Sequence, residues 1–345
     1  MEPVAAPAQE DATEFRFGID IEVHTDDEEV SSQHYRVKRI ENLEKCTRLK
    51  KLSIVASCVD ELINLDNNTE LQELEVYQGL VKEIRNISHL TNLRVLDLSF
   101  NEIKRIEGID TLCNLEKLFL SNNKIAVVEG LDSLKKLRVL ELGSNRIRSV
   151  NSPCFDHLGN LEELWLGKNK LTDMNDLNNF HFPSLKQLSL QSNRLTQWAP
   201  KLFSQVAPNL TNIYLGSNQL PDMDTDTLAA VNADVMEELD ISCNALTTVP
   251  QFPKPMAVLT ELWLNDNKIT STEGLRTLRD VYPALKTIYI ERNPVHAQCP
   301  LDCRNEILRN APDSLEQIDA VMIPRHELRV SASVDYHVKK TILKH

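Results

Sequence analysis

Long apolar runs and an excess of basic residues are both absent from this sequence. No apolar run reaches the roughly 18 residues that a membrane-spanning helix needs, and no apolar signal peptide opens the chain. Lys and Arg number 38 against 51 Asp and Glu, which gives a net charge of −13. Because nucleic-acid phosphates require Lys and Arg, we expect neither a nucleic acid nor a membrane as partner. An acidic body can still carry a local basic patch, since regional charge sets the local field.

Cysteine clusters are also absent, although the chain has 7 cysteines. An odd number of mostly distant cysteines indicates reduced thiols, as found in the cytosol or nucleus. His296, Cys299 and Cys303 lie close together in sequence. Three ligands at this spacing fit no standard zinc template. The sequence therefore predicts no metal site.

Motifs for catalysis and for phosphate binding are missing as well. The chain has no G-x-S-x-G, G-x-G-x-x-G or H-E-x-x-H motif. Gly167-Lys168 is followed by Asn169 and lacks the upstream glycine of a phosphate loop. We therefore predict that the protein is not an enzyme and needs no cofactor.

What the chain does contain is an internal repeat. NLRVLDLSFNEI begins at Asn92 and recurs as NLEKLFLSNNKI from Asn114, KLRVLELGSNRI from Lys136 and NLEELWLGKNKL from Asn160. Further copies continue to ALKTIYIERNPV at Ala284. A motif L-x-x-L-x-L-x-x-N with a period of about 20–30 residues is the leucine-rich repeat.

The spacing within the motif predicts its structure. Leu96 and Leu98 are two residues apart, so on a strand they point the same way, while Asp97 points the opposite way. Asn101 then ends the strand, where its amide can satisfy the backbone groups of a turn. One unit cannot bury its own leucines, so neighbouring units must stack. We predict an α/β leucine-rich-repeat solenoid with a curved parallel sheet on its concave side and short helices or loops on its convex side.

The motif asparagines set the number and length of the repeats. They are Asn101, Asn123, Asn145, Asn169, Asn193, Asn218, Asn244, Asn267 and Asn293. Successive steps are 22, 22, 24, 24, 25, 26, 23 and 26 residues. Two degenerate units precede Asn101, with Ser57 and Gly79 at the asparagine position, so about eleven full repeats are expected. The longer units require short helices or irregular loops on the convex side.

The boundaries of the solenoid follow from changes in composition. Residues 1–32 contain ten Asp or Glu and one basic residue, Arg16, which predicts a disordered acidic tail. Residues 33–323 form the predicted repeat domain, opened by a half-repeat cap. Residues 299–323 form its C-terminal cap, an amphipathic helix followed by a strand-like turn. Residues 324–345 are a predicted C-terminal tail.

One column of residues lies between the two strand leucines and faces away from the core. It reads Ser53, Glu75, Asp97, Phe119, Glu141, Trp165, Ser189, Tyr214, Asp240, Trp263 and Tyr289. Exposed Trp and Tyr are common anchors of protein interfaces, and carboxylates beside them select a basic partner surface. Aromatic packing along a pleated sheet is the alternative interpretation, but packing does not require the acids.

The repeat array resembles the leucine-rich-repeat regulatory subunit family of protein phosphatase 1, the regulatory subunit 7 family. The resemblance covers residues 33 to 323, from HYRVKRIENL at its entry to ERNPV and SLEQIDA at its exit. It implies binding to the phosphatase catalytic subunit through the concave face, with control of its maturation, localisation or activity. By position, the implied contact residues are Asp97, Phe119, Glu141, Trp165, Asp240, Glu261, Trp263 and Tyr289. The family usually has Phe where this chain has Trp165.

The same resemblance implies a ternary complex with inhibitor-3, a location in nucleus and cytoplasm, and a chain that is monomeric by itself. The short phosphatase-docking motif, a basic residue followed by Val or Ile and then an aromatic residue, has no complete copy here. Binding is therefore expected through the folded repeats. The alternative is a leucine-rich-repeat scaffold of cilia or cytoskeleton, which would not bind the phosphatase.

Overall fold

A computed structural model describes residues 14–33, 35–298 and 300–324 of the chain. The chain divides into two compact units, Met1–Leu137 and Arg138–His345. The predicted C-terminal tail lies outside the described residues apart from Pro324, and Cys299 lies outside them too. Each unit is a stack of repeats with its own row of strands.

The first unit has five strands among its described residues. They are β1 (Glu29–Ser32), β2 (Lys51–Val55), β3 (Glu73–Tyr77), β4 (Val95–Asp97) and β5 (Lys117–Phe119). Each strand pairs in parallel with the next one along the chain. Leu74 stands in register with Leu96, and both are buried because the strand alternation directs them into the core. Turns, without helices, connect these short repeats in the described residues.

The described part of the second unit has nine strands. They are β6 (Val139–Glu141), β7 (Glu163–Trp165), β8 (Gln187–Ser189), β9 (Asn212–Tyr214), β10 (Glu238–Asp240), β11 (Glu261–Trp263), β12 (Thr287–Tyr289), β13 (Gln317–Ile318) and β14 (Val321–Met322). From β6 to β13 every neighbour is parallel, and β14 runs antiparallel to β13. This arrangement is the predicted leucine-rich-repeat solenoid.

Short helices fill the longer repeats of the second unit. Those of α type are α1 (Thr225–Ala230), α2 (Leu278–Val281), α3 (Pro294–Gln298) and α4 (Pro300–Asn310). Short 3-10 helices span Pro153–His157, Met174–Asn179 and Glu273–Leu275, and a π-helical turn spans Leu202–Val206. The sequence prediction that extra residues form short helices opposite the sheet is confirmed.

The asparagine of each motif is buried and bridges two repeats. In the first unit, Asn101 Nδ2 donates to the Val76 carbonyl at 2.7 Å and to the Leu98 carbonyl at 3.0 Å. Its Oδ1 accepts from the Val81 N–H at 3.0 Å. The same three kinds of hydrogen bond recur in the second unit, for example at Asn193. The predicted role of asparagine in satisfying the turn is confirmed.

The structure corrects the predicted acidic tail for residues 14–32. β1 pairs in parallel with β2 along all its residues, and Val30 is buried. Phe17 is 0% exposed, and Phe15 forms a backbone bridge with Val37. Apolar side chains interspersed among the acids therefore enter the core and close the first repeat. Residues 1–13 of the predicted tail lie outside the described residues.

Acidic side chains in this segment face basic residues of the next repeat. Glu28 accepts from Lys50 at 2.7 Å and from Arg48 at 2.9 Å. These cations hold the pKa of Glu28 below its usual range. The local excess of acid is thus balanced across repeats, which sequence composition alone does not show.

Truncating Phe17 tests whether this segment is part of the folded body. Phe17→Ala removes a fully buried ring, so we expect the free energy of unfolding to fall by about 3–5 kcal/mol. Ile19→Ala is the matched control, since Ile19 is 60% exposed and its loss should leave stability nearly unchanged. Urea denaturation measures both variants. Equal stability of Phe17→Ala and the parent would restore the disordered-tail interpretation.

The last repeat ends in a helix and two short strands. Cys303 and Ile307 of α4 are buried, while Leu301 is exposed. β13 pairs with β12 in a register that sets Ile318 opposite Ile288, and Asp319 follows directly after β13. Its Oδ1 accepts from the Ile290 N–H at 2.7 Å. A helix followed by a short strand is the order that the sequence predicts for residues 299–323.

Candidate functional site

The candidate site is the face of each sheet that points away from the leucine core, here called the sheet face. Its central column contains the residues between the two buried positions of each strand. In the first unit these are Ser53, Glu75, Asp97 and Phe119, and in the second Glu141, Trp165, Ser189, Tyr214, Asp240, Trp263 and Tyr289. Within each unit, neighbours in the column stand opposite one another on adjacent strands. The predicted site residues, including Glu261 beside this column, are all partly exposed.

In the first unit, Asp97 stands directly opposite Phe119. The Asp97 carboxylate accepts from the Ser99 N–H at 2.8 Å, which fixes its orientation at the end of β4. Next to it, the Tyr77 and Phe100 rings approach to 4.9 Å between centroids. Sequence reasoning missed the pair of Tyr77 and Phe100 because Phe100 lies in the turn, outside the strand column.

In the second unit, two aromatic side chains meet above a buried serine. Trp165 and Tyr214 stack with centroids 5.7 Å apart and an interplanar angle of 17°. Ser189 stands between them on β8 and is 1% exposed. A small residue at this position therefore lets rings from alternate repeats touch. Glu141 stands opposite Trp165 on the other side.

Carboxylates lie beside these rings and hold them by hydrogen bonds. Trp165 Nε1 donates to Glu163 at 3.0 Å, and the Tyr214 hydroxyl donates to Glu238 at 2.8 Å. Burial, and then the hydrogen bond to Glu238, raise the pKa of Tyr214 to about 12. Sequence reasoning missed Glu163 and Glu238, although each precedes a column residue by two positions and so shares its face. The rings are thereby held in fixed orientations by acids.

The second aromatic stack joins Trp263 and Tyr289. Their centroids are 4.2 Å apart at an interplanar angle of 23°. Trp263 Nε1 donates to Glu261 at 3.2 Å, and Gln317 Nε2 donates to the Tyr289 hydroxyl at 2.7 Å. The structure thus brings together three predicted site residues on two adjacent strands. Gln317 of β13 also belongs to this cluster, although the repeat motif does not identify it.

Asp240 stands between Tyr214 and Trp263, but its carboxylate is largely occupied. It accepts from the Ser242 N–H at 2.9 Å and from Ser242 Oγ at 2.6 Å. A Cβ atom at Gly216 would lie 3.0 Å from Asp240 Oδ2, which shows how closely the backbone encloses it. Burial raises the pKa of Asp240 despite the two bonds from Ser242. Asp240 is therefore a weaker source of open negative charge than the prediction assumed.

The third tryptophan belongs to the opposite layer. Trp198 is 8% exposed and its Nε1 donates to the Pro221 carbonyl at 2.9 Å. It fills the core behind the sheet and has no place on the sheet face.

The described residues of the sheet face hold aromatic and carboxylate groups without a paired nucleophile and base. No group of His, Cys, Asp and Glu in the described part of the chain could hold a metal ion. Cys46, Cys58, Cys113, Cys154, Cys243 and Cys303 are free thiols. No helix within the described ranges is long and apolar enough to cross a membrane. The groups that the described sheet face presents are therefore aromatic rings and carboxylates.

Comparison with protein families matches the repeats directly. The Leucine Rich repeat model matches residues 89–104, and the Leucine Rich repeats (2 copies) model matches residues 113–154 and 135–179. No curated protein matches the chain.

Solved structures match the fold over most of the chain. A leucine-rich-repeat protein of Leptospira interrogans aligns with a TM-score of 0.70 and 22% identity, over 82% of this chain and 69% of that one. An internalin of Listeria monocytogenes aligns with a TM-score of 0.62 and 19% identity, over 86% of this chain and 87% of that one. A chain of the octameric complex of Latrophilin 3, Unc5D and FLRT2 (LRR) aligns with a TM-score of 0.65 and 20% identity, over 78% and 85%.

These likenesses concern the fold, which is of a scaffold type that generally mediates protein–protein interaction and is typically non-enzymatic. Repeat motif, family models and strand topology agree: the chain is a leucine-rich-repeat protein.

Proposed function

We propose that this protein is a non-catalytic regulatory subunit that binds the catalytic subunit of protein phosphatase 1 through its sheet face. The observation that carries the proposal is the stack of Trp263 on Tyr289 with Glu261 bonded to the indole. The pair is partly exposed on the sheet face. Rings already ordered by stacking lose little conformational entropy when a partner covers them.

The second unit is long enough to engage a folded protein. Its strands β6 to β12 include seven repeats, which at about 4.8 Å a step extend roughly 29 Å. Two aromatic stacks lie along this distance, with Glu163, Glu238 and Glu261 beside the rings. Aromatic anchors next to acids suit a partner surface that combines apolar pockets with Lys or Arg.

The choice of phosphatase comes from the resemblance to the regulatory subunit 7 family. The sheet face carries an acid or an aromatic residue at each implied contact position: Asp97, Phe119, Glu141, Trp165, Asp240, Glu261, Trp263 and Tyr289. Trp165 in place of the family's Phe keeps an aromatic ring there. It also adds an indole N–H, which donates a hydrogen bond to Glu163. Control of phosphatase maturation, localisation or activity, a ternary complex with inhibitor-3, and a place in nucleus and cytoplasm belong to the same proposal.

Affinity capture tests this function against the alternative scaffold role. The tagged full chain is incubated with cell lysate, and bound proteins are identified by mass spectrometry. We expect the type 1 catalytic subunit and inhibitor-3, both lost with Trp263→Ala. Axonemal or cytoskeletal proteins without the phosphatase would support the scaffold of cilia or cytoskeleton.

A further inference from the structure

Five cations lie in the turns that follow three consecutive strands of the second unit, β6, β7 and β8. The basic row is Arg146, Arg148, Lys168, Lys170 and Arg194. Arg146, Lys170 and Arg194 each follow the motif asparagine of consecutive repeats. The Lys170 N–H donates to the Ile147 carbonyl and the Arg194 N–H to the Leu171 carbonyl, both at 2.8 Å. These bonds place the three residues on successive rungs of one ladder.

No side chain of the basic row takes part in an ion pair or a hydrogen bond with any described residue. Four are exposed and Lys170 is partly exposed. The same motif position is paired in the first unit, where Lys124 follows its motif asparagine and pairs with Glu102 at 3.1 Å. Arg146, Lys170 and Arg194 occupy this position in three later repeats and have no such acid partner.

Acids near the row are engaged by other groups. Asp173 accepts from the Asn175 N–H at the start of a 3-10 turn. Asp176 accepts from Ser149 Oγ and from the Val150 N–H. Neither carboxylate is ion-paired with a cation of the row, so the row presents its charge to solvent in a protein with net charge −13.

We propose that the basic row binds an extended Asp- and Glu-rich segment of a partner protein. Three rungs at about 4.8 Å extend roughly 10 Å, which is the length of about three to four residues of extended chain. Cations spread along a line match a run of carboxylates, whereas a single phosphate would require converging donors. A longer nucleic acid would extend beyond a row of this length onto a protein of net charge −13 and be repelled. This inference is independent of the proposed function, because the row lies on the loop edge and not in the sheet-face column.

Fluorescence anisotropy with the full chain tests the proposal. The probe is a labelled hexapeptide rich in Asp and Glu, and its matched control peptide has Asn and Gln at the same positions. At about 50 mM salt, where exposed charges are weakly screened, we expect the acidic peptide to bind and the neutral one not to bind. Raising the salt to about 300 mM should weaken binding strongly.

The protein variants separate a local site from net charge. Arg146→Glu combined with Arg194→Glu should weaken binding at least about tenfold, because two attractive charges become repulsive. The matched control is Lys201→Glu combined with Lys254→Glu, two exposed cations in the opposite layer of the same unit. This control variant changes the net charge by the same amount as the row variant, and it should alter the affinity for the acidic peptide less than about twofold. Thermal melts confirm that both variants fold.

Three results would overturn the proposal. The parent protein could fail to bind the acidic peptide. The control variant could lose as much affinity as the row variant, which would show that net charge alone, and not a local site, determines binding. A short single-stranded oligonucleotide could bind more tightly than the peptide and lose that binding in the row variant, which would make the row a nucleic-acid surface.

Discussion

Replacing Trp263 by alanine should weaken binding to the type 1 phosphatase catalytic subunit by about 30- to 1,000-fold. Truncation of a buried interface tryptophan typically costs about 2–4 kcal/mol. The Trp263→Ala protein should fold normally, because the ring lies on the sheet face and its neighbours Leu262 and Leu264 supply the core. Tyr289 would also lose its stacking partner. Part of the lost affinity would therefore come from a less ordered Tyr289 ring. Isothermal titration calorimetry measures the affinity.

The control for Trp263 lies in the same repeat. Val258 is 37% exposed in the turn just before β11. Val258→Ala should leave affinity within about twofold of the parent, since a single exposed apolar group away from the face contributes little. Similar affinity for Trp263→Ala and the parent would remove the main anchor from the proposed interface.

Replacing Asn267 by leucine should cost the fold about 3 kcal/mol of unfolding free energy, because three hydrogen bonds to buried backbone groups are lost and the Leu246 N–H is left without its partner. Asn267 Nδ2 donates to the Ile241 and Leu264 carbonyls, both at 3.0 Å. Its Oδ1 accepts from the Leu246 N–H at 3.1 Å. Leucine can replace none of these bonds. Chemical denaturation gives the stability.

Asn265 provides the comparison for Asn267 from the same turn. Its side-chain amide donates to Asp266 at 2.8 Å and is only partly buried. Asn265→Ala should therefore cost less than about 1 kcal/mol. Equal losses from Asn265→Ala and Asn267→Leu would show that the motif asparagine has no special structural role.

The repeat register could be predicted from the sequence because its causes are local. Leu96 and Leu98 alternate with Asp97, and alternation alone decides which side chains enter the core. The asparagine bonds also follow from a fixed position in each repeat. The same logic identified the sheet-face column and therefore most of the candidate site.

Contacts between repeats could not be predicted at the level of side chains. The stack of Trp165 on Tyr214 passes over Ser189, and it depends on the size of a residue that sequence reasoning treats as neutral. The bonds from Ser242 to Asp240 likewise turn a predicted open acid into an enclosed one. Such effects depend on the three-dimensional neighbours of each residue.

The N-terminal strand was missed because composition concealed its pattern. Val30 occupies the position of a strand leucine, but Ser32 stands opposite Ile54 where a second apolar residue is expected. Ser32 is nevertheless buried. A high density of acids around this weak pattern favoured the prediction of disorder.

Calorimetry of a doubly reversed sheet face tests the central claim most directly. Glu163→Lys combined with Glu261→Lys puts basic charge beside both aromatic stacks, where Glu163 and Glu261 now accept from the indoles. The matched control is Asp234→Lys combined with Asp280→Lys, two exposed acids of the opposite layer in the same unit. We predict one-to-one binding of the parent and the control to the phosphatase catalytic subunit, and affinity at least about 100-fold lower for the reversed face. Undiminished binding by the reversed face would contradict the account.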